Sequence, residues 1–257
     1  MVQRVLVTGG TGRLGRALVP KLVDEGYDVR VLTRVERKPA AHRWVTGDLR
    51  TGAGVADAVA SVDVIIHLAT TQGRRDIEST ENLIAAARAA GSPHLIYLSI
   101  VGIDDAILSY YQTKLACERR IEASGLPWTI LRATQFHDLI YEILHVQRWS
   151  PVLLMPTGVA FQPIDVSEVA DRLRALVAEP AAKRVPDMDG PLVQQGTDLA
   201  KIYLRVTGKR RPVWPIALPK QLIGDFRRDS NLAPDRAVGR VTFEQFLRDR
   251  QNQDHKG

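Results

Sequence analysis

Thr8-Gly9-Gly10-Thr11-Gly12-Arg13-Leu14-Gly15 follows the apolar run Val5-Leu6-Val7 and leads into Arg16-Ala17-Leu18-Val19. Strand, glycine-rich turn and helix succeed one another, and the glycines fall at the spacing Gly9-x-x-Gly12-x-x-Gly15. Each glycine then has its own physical role, with a tight turn at Gly9, close backbone approach to a pyrophosphate at Gly12, and helix–strand packing at Gly15. The helix N-terminus supplies unpaired N–H groups and the positive end of its dipole to the phosphates. Thr11, Arg13 and Leu14 complete the loop and are read with the glycines as dinucleotide-binding residues.

Outward from this loop, Val/Ile/Leu-rich runs alternate with segments of helical period: Arg4–Thr8 then Leu14–Glu25, Asp28–Thr33, Arg43–Val45, Val62–Leu68 then Ser79–Ala90, His94–Ser99 then Tyr110–Ser124, and Trp128–Arg132. Alternation of this kind builds a parallel sheet covered by helices on both faces. Gly26, Gly91 and Gly125 each close a helical stretch before the next strand, where a left-handed cap needs a residue without Cβ. The predicted fold class is α/β, a Rossmann-type doubly wound parallel sheet. Beyond Phe136 the rhythm loosens among Pro151, Pro156, Pro163, Pro180, Pro186 and Pro191, apart from an amphipathic stretch over Val166–Ala178. Residues 207–219 read as an extended loop, residues 232–250 as a turn and a short terminal helix, and residues 251–257 as a frayed end. The expected organisation is a nucleotide-binding domain over residues 1–135, with a return segment near 158–180. Residues 136–257 form a smaller C-terminal substrate-binding annex that is not an independent domain.

The end of the second strand decides between the two nicotinamide cofactors. An NAD site places Asp or Glu there, about 20 residues beyond the glycines, to hold the ribose 2′-hydroxyl. Here Val29-Arg30-Val31-Leu32-Thr33 ends at Arg34. A guanidinium pairs with a 2′-phosphate through forked, charge-assisted hydrogen bonds, and Arg13 in the glycine loop and Arg37 nearby can add to the same positive pocket. NADP(H) is the preferred cofactor. NAD(H) is the alternative, with Glu36 taking the ribose. Asp48, in Gly47-Asp48-Leu49 after the third strand, is placed to accept from the adenine amino group beside Leu49. Leu68, Ala69 and Thr70 close the fourth strand with residues small enough for the nicotinamide ribose to approach. His67 reads as a packed strand residue, since it has no neighbouring His, Cys or carboxylate at metal-ligand spacing; no metal site is expected.

The 257-residue chain carries 35 Lys and Arg against 29 Asp and Glu, a formal charge of +6. The basic residues are scattered, and the tightest run, Lys209-Arg210-Arg211, ends at Pro212. With no recognition helix or aromatic-basic platform in the sequence, the charge reads as a solvated face with a bias towards anionic ligands, and no nucleic-acid partner is expected. Cys117, the one cysteine, has no partner for a disulfide or a thiolate metal site and reads as a packed thiol. The N-terminal apolar run breaks at glycines too soon for a signal peptide, and no apolar run approaches membrane-spanning length, so the cytoplasm is the expected compartment and no membrane partner is expected.

Taken together, Thr8-Gly9-x-x-Gly12-x-x-Gly15, Gly47-Asp48-Leu49, Thr80-Glu81-Asn82-Leu83 heading a helix, Leu98-Ser99 ending a strand, Tyr110-x-x-x-Lys114, Ser124-Gly125-Leu126-Pro127-Trp128-Thr129-Ile130-Leu131-Arg132 and Phe161-Gln162-Pro163-Ile164-Asp165-Val166 resemble the short-chain dehydrogenase/reductase superfamily. In detail they resemble its atypical, extended-like branch, the NmrA-like NAD(P)-binding proteins, over roughly the first two-thirds of the chain. The resemblance implies a Rossmann-type domain with a smaller substrate-binding lobe over the nicotinamide. Its members include reductases, dehydrogenases, isomerases and lyases, and also proteins that bind NADP without turning it over and act as redox sensors.

The resemblance further implies catalytic roles for Tyr110, Lys114 and Ser99. In the superfamily a Tyr protonates the developing alkoxide, and a Lys four residues later lowers its pKa and holds the nicotinamide ribose. Spacing of four sets Tyr110 and Lys114 on one helix face, and Lys114 serves as a cofactor ligand with or without chemistry. Tyr111 adjoins Tyr110, which leaves open which ring faces the nicotinamide. Ser99 matches the first serine of the family pattern. The serine that polarises the substrate carbonyl falls where this chain has Val101 and Gly102, with Ser109 a possible substitute. Ala133, Thr134, Gln135 and Phe136, after the sixth strand, are expected at the nicotinamide, the first three towards the carboxamide and Phe136 as an apolar wall. His137, Tyr141 and His145 recur at helical spacing, as interior packing or as a pocket lining. Two functional readings follow: an NADPH-dependent reductase of a small carbonyl or conjugated substrate, or a non-enzymatic NADP(H)-binding redox sensor. Relatives of this kind are monomers or homodimers, and no residue pattern decides between the two.

Overall fold

Val5, Leu6 and Val7 are all fully buried, so the first strand is covered on both faces, as a central strand between two helix layers must be. The computed structural model describes residues 2–104, 108–217, 232 and 237–254. The first half runs β1 (Arg4–Thr8), α1 (Arg13–Asp24), β2 (Asp28–Thr33), β3 (Arg43–Thr46), α2 (Val55–Val59), β4 (Val64–His67), α3 (Arg75–Ala89), β5 (His94–Ile100), α4 (Ser109–Glu122) and β6 (Trp128–Ala133). The second half adds α5 (His137–His145), β7 (Leu153–Pro156), β8 (Ala160–Phe161), α6 (Val166–Ala178), β9 (Lys183–Arg184), β10 (Gln194–Gln195), α7 (Gly196–Val206), β11 (Val213–Ile216) and α8 (Phe243–Asp254).

Seven strands form one sheet in the order β3-β2-β1-β4-β5-β6-β9. β1 lies parallel to both neighbours, with Thr8 opposite Leu32 of β2 and His67 of β4. The chain moves outward from β1 to β3, then crosses back to start β4 on the other side of β1. The connections therefore leave the carboxyl ends of β1 and β4 in opposite directions and open a crevice there, where doubly wound sheets bind their ligands. α1 packs with α6, and α3 packs with both α2 and α4. One core joins Leu6, Ile65, Leu95 and Ile130 of the sheet to Val55, Leu83, Ala87, Cys117 and Ile121 of the helices. Gly26, Gly91 and Gly125 all adopt left-handed backbone, as their place at helix ends requires.

The described chain divides into two units. The first takes residues up to Ser99, then Ser109–Arg132 and Val166–Pro186; the second takes Ile100–Leu108, Ala133–Asp165 and the chain from Asp187 onward. The second unit has its own core, in which Tyr203 and Leu199 of α7 meet Ile140 and Leu144 of α5, Leu153 and Met155 of β7, and Phe243 and Leu247 of α8.

Several element bounds differ from the sequence reading. α3 begins at Arg75, so Thr80 sits inside the helix rather than at its head, with its hydroxyl donating back to the Asp76 carbonyl at 2.7 Å. β5 continues one residue past Ser99. The region after Phe136 is more regular than its prolines suggested: α5 and α7 are amphipathic helices, and their apolar positions were present in the sequence. Within the expected loop, residues 213–216 form β11. Pro215 is tolerated there because, among the described residues, β11 pairs with β7 alone. The terminal helix runs to Asp254, so residues 251–254 are helical rather than frayed, while residues 218–219, 233–236 and 255–257 lie outside the described residues.

Candidate functional site

The glycine loop is shaped by what a Cβ would strike. Gly9 has φ +71°, and a Cβ there would lie 2.6 Å from the Ala69 amide nitrogen. One at Gly15 would lie 2.5 Å from the Gly9 carbonyl oxygen, and one at Gly10 2.5 Å from Val31 Cγ1. Gly12 differs, since a Cβ there meets only the Gly9 oxygen, at 3.2 Å. It caps α1 with no side-chain hydrogen bond, and the first turn of that helix carries no acidic residue. The leading amides of α1 are thus left to an anion at the loop, the setting a pyrophosphate requires.

A cavity of about 680 Å³ opens at this loop, lined by Thr8, Gly9, Thr11 and Gly12. Arg34, Arg37 and Arg50 line its other parts, together with Asp48 and Leu49 after β3 and Leu68, Ala69, Thr70 and Thr71 after β4. Glu36 does not line it. Arg37 is placed by its guanidinium stacking over the Trp44 ring at 6.0 Å, while Trp44 Nε1 donates to the Lys38 carbonyl at 2.9 Å. The Asp48 turn is held from α3: Asn82 Nδ2 donates to the Leu49 and Arg50 carbonyls at 2.8 and 3.1 Å, and Asp48 Oδ1 accepts from the Arg50 amide at 2.9 Å. Of the remaining loop residues, Arg13 is exposed, Leu14 and Gly15 are buried, and none of the three lines the cavity.

At the end of β4, His67 is buried between two hydroxyls, with Nδ1 at 2.7 Å from Thr8 Oγ1 and Nε2 at 3.2 Å from Thr80 Oγ1. Because Thr80 donates to the Asp76 carbonyl, its oxygen accepts from Nε2–H, and Nδ1 accepts from Thr8. Burial lowers the His67 pKa to about 3, aided by the nearby Lys114 charge. His67 is therefore a neutral, packed strand residue, as its sequence context suggested.

Asp76, which the sequence reading missed, organises the next turn. Its carboxylate is buried and accepts from Thr70 Oγ1 at 2.5 Å, the Thr71 amide at 2.6 Å and Thr71 Oγ1 at 2.7 Å. A Thr-Thr pair followed by an Asp in the first turn of a helix was the available signal, since short polar side chains there serve backbone amides.

Tyr110 and Tyr111 part company at the start of α4. Tyr111 is buried, whereas Tyr110 is half-buried, with the Thr70 side chain beside its hydroxyl. Burial raises the Tyr110 pKa. Lys114, also buried, donates from Nζ to the Leu98 carbonyl at 2.7 Å and stands 4.1 Å above the Tyr97 ring. Burial pulls its pKa down to about 8. The Ser99 hydroxyl is buried and has no hydrogen-bond partner among the described residues. Neither Tyr110, Lys114 nor Ser99 lines the cavity itself.

Ala133–Phe136 belong to the second unit. Their main chain is committed to local pairing: the Ala133 carbonyl accepts from Val101, the Thr134 amide donates to Met188, and the Gln135 carbonyl accepts from Ile164. The Gln135 side-chain amide is buried, and neither its oxygen nor its nitrogen has a partner among the described residues. His137 stacks on Phe246 at 5.3 Å and donates from Nε2 to the Val241 carbonyl at 2.9 Å, and Tyr141 stacks on His145 at 4.9 Å. The helical stripe is thus interior packing. Among the described residues, no group of His, Cys, Asp and Glu is placed to hold a metal ion, and no helix is long and apolar enough to cross a membrane.

The switch-point crevice, glycine loop and arginine-lined cavity define a Rossmann-fold dinucleotide-binding protein. An NAD(P)H-binding family model matches residues 9–143, more than half of the sequence. The chain belongs to that NAD(P)H-binding family, and its motifs resemble those of the atypical short-chain dehydrogenase/reductases.

It is 27% identical over 179 residues to an uncharacterized protein of Mycobacterium tuberculosis, covering 68% of this chain and 20% of that one. The chain thus spans about a fifth of the length of the mycobacterial relatives it matches. It is 28% identical over 227 residues to the photosystem II assembly factor Ycf39 of Cyanophora paradoxa, covering 81% and 70% of the two chains. Among solved structures it resembles the NADPH-dependent quinone oxidoreductase QOR2 of Escherichia coli, at a TM-score of 0.81 and 16% identity over 96% of this chain and 100% of that one. The Citrobacter sp. triphenylmethane reductase is similar too, at a TM-score of 0.78 and 18% identity over 96% and 99%. At such identities these structures speak for the fold.

Proposed function

We propose that this protein is an NADPH-dependent reductase of a small carbonyl or conjugated substrate, with Tyr110 as the proton donor. The observation that carries the proposal is that Tyr110 stands beside Thr70, which lines the cofactor cavity. That neighbourhood supports a phenol close to the dinucleotide. Arg34, Arg37 and Arg50 at that cavity support NADP(H), since no carboxylate at the end of β2 is among its lining residues. NADPH, when bound, supplies the hydride.

Tyr110 gives its proton to the substrate oxygen as negative charge develops there. With its pKa raised by burial, the phenol stays protonated at neutral pH and is in the donor form. Lys114 would hold the nicotinamide ribose. Asp76 positions Thr70, and Thr70 positions Tyr110. Arg34 would clasp the 2′-phosphate, and Gly12 would admit the pyrophosphate. The cytoplasm is the compartment this reading implies.

A second reading, an NADP(H)-binding redox sensor without turnover, is favoured by Ser99, whose hydroxyl is buried with no partner among the described residues and so is not poised to polarise a carbonyl. Following the loss of NADPH absorbance against a panel of carbonyl and quinone substrates, in wild type and Tyr110→Phe, separates the two. Turnover that falls about 100-fold or more in the variant, with NADPH affinity intact, supports the reductase. No turnover in either protein, with intact binding, supports the sensor.

A further inference from the structure

Trp149 is 85% exposed and Trp214 59% exposed, whereas Phe161, Tyr203 and Phe243 of the same unit are buried. Three contacts join the segments that carry them. β11 pairs with β7 so that Trp214 stands opposite Leu154. Gln147 grips Leu154 by both backbone groups, accepting from its amide at 2.9 Å and donating to its carbonyl at 3.3 Å. Arg211 Nη1 donates to the Gln147 and Ser150 carbonyls, at 2.8 and 2.7 Å, on either side of Trp149. The turn after α5 and the segment leading into β11 therefore form one surface, on which Val146 and Leu154 are exposed beside the two indoles.

Residues 143–164 and 199–217 contain no Asp or Glu, while Arg148, Lys209, Arg210 and Arg211 all fall within them. The Arg148 guanidinium lies 5.6 Å from the Trp149 ring centre, and Lys209 and Arg210 are exposed. On neighbouring elements, Asp198 pairs with Lys201, Glu244 with Arg205 and Arg248, and Asp138 with Arg250, while Glu142 of α5 and Asp249 of α8 are exposed.

We propose that this face of the second unit docks on an anionic bilayer surface. The two indoles, with Val146 and Leu154, enter the headgroup boundary, and Arg148, Lys209 and Arg210 meet lipid phosphates. Amphipathic rings settle at that depth, and attachment of useful strength combines apolar insertion with a basic patch. A second copy of the chain fits less well, because a two-fold contact would set these cations against their own copies. A nucleic acid fits less well too, because such interfaces are polar and would leave Val146 and Leu154 against phosphate and water. The sequence hides the patch, since its residues come from segments some 60 positions apart in the register Leu154–Trp214, and no apolar run signals it.

The test is co-sedimentation of the full chain with vesicles of phosphatidylcholine alone and of phosphatidylcholine with phosphatidylglycerol. Binding is expected only to the anionic vesicles, weakened by salt, with a blue shift of tryptophan emission. Arg210→Gln is expected to weaken it about fivefold and Trp149→Ala by about tenfold or more, both with NADPH affinity unchanged. No sedimentation with anionic vesicles, or equal sedimentation of wild type and both variants, overturns the proposal. So does a concentration-dependent dimer, or binding of single-stranded RNA, that Trp149→Ala abolishes while vesicle binding persists.

Discussion

The Thr70 side chain stands beside the Tyr110 hydroxyl, and Thr70 Oγ1 donates to Asp76 Oδ2 at 2.5 Å. The strand end beside the dinucleotide cavity and the start of α4 therefore meet through three residues of one unit. Tyr111, one residue on, is buried and packs 6.0 Å from Tyr110, ring centre to ring centre. Tyr110→Phe is accordingly expected to cut kcat by about 100-fold or more with little change in NADPH affinity, and Tyr111→Phe to keep most of the activity. Steady-state kinetics of the two variants side by side makes the comparison; the reverse ranking would transfer the proton donor to Tyr111.

Thr70→Val removes the hydroxyl beside Tyr110 while leaving Asp76 its two bonds from Thr71. Its loss is expected to lower kcat by about fivefold to tenfold, the worth of one net hydrogen bond, with NADPH affinity unchanged. An unchanged kcat would take Thr70 out of the setting of Tyr110.

The two glycines of the turn are expected to fail differently when replaced by Ala. At Gly9 the backbone is left-handed and the new Cβ would strike the Ala69 amide, so Gly9→Ala is expected to cost about 3 kcal/mol or more of stability. Gly12 has φ −73° and only the Gly9 oxygen near its side-chain direction. Gly12→Ala is expected to cost less than about 1 kcal/mol and yet to weaken NADPH binding strongly, because the methyl occupies the approach to the phosphates. Urea unfolding alongside cofactor titration reads both effects.

His67 has its pKa lowered to about 3 in the folded chain, against an ordinary value of 6.5. A group whose folded pKa is depressed binds protons more readily when unfolded, so folding loses stability as pH falls below the unfolded value. Between pH 6.5 and 5 the loss from this residue is about 2 kcal/mol. The urea midpoint of wild type is expected to fall over that range by more than that of His67→Asn, which keeps a hydrogen-bonding side chain without the titration. Parallel midpoints would show that His67 is solvated.

The sheet and the glycine loop were legible because their signals are local. A run such as Val5-Leu6-Val7 followed by Gly9-x-x-Gly12-x-x-Gly15 specifies strand, turn and helix within a dozen positions. Arg34, Asp48 and Thr70 were legible as well, because residues at the carboxyl ends of parallel strands must share one crevice, and all three line the cavity. Asp76 and Arg50 were not, since their places depend on how the turns after β4 and β3 fold back, which no period encodes. The second unit was legible only as a loosely organised annex, because its short strands, such as the two-residue β8 and β10, show no alternation, and because its prolines masked the helical spacing of Leu199, Ala200, Tyr203 and Leu204.

The most direct test of the cofactor assignment is calorimetric titration with NADPH and NADH, side by side, in wild type and Arg34→Ala. NADPH is expected to bind the tighter, and Arg34→Ala to weaken it by about 10- to 100-fold, the worth of a charge-assisted bond, with NADH unaffected. Equal binding of the two cofactors by wild type, or an Arg34→Ala variant that keeps the preference, would contradict the assignment of this cavity to a 2′-phosphorylated dinucleotide.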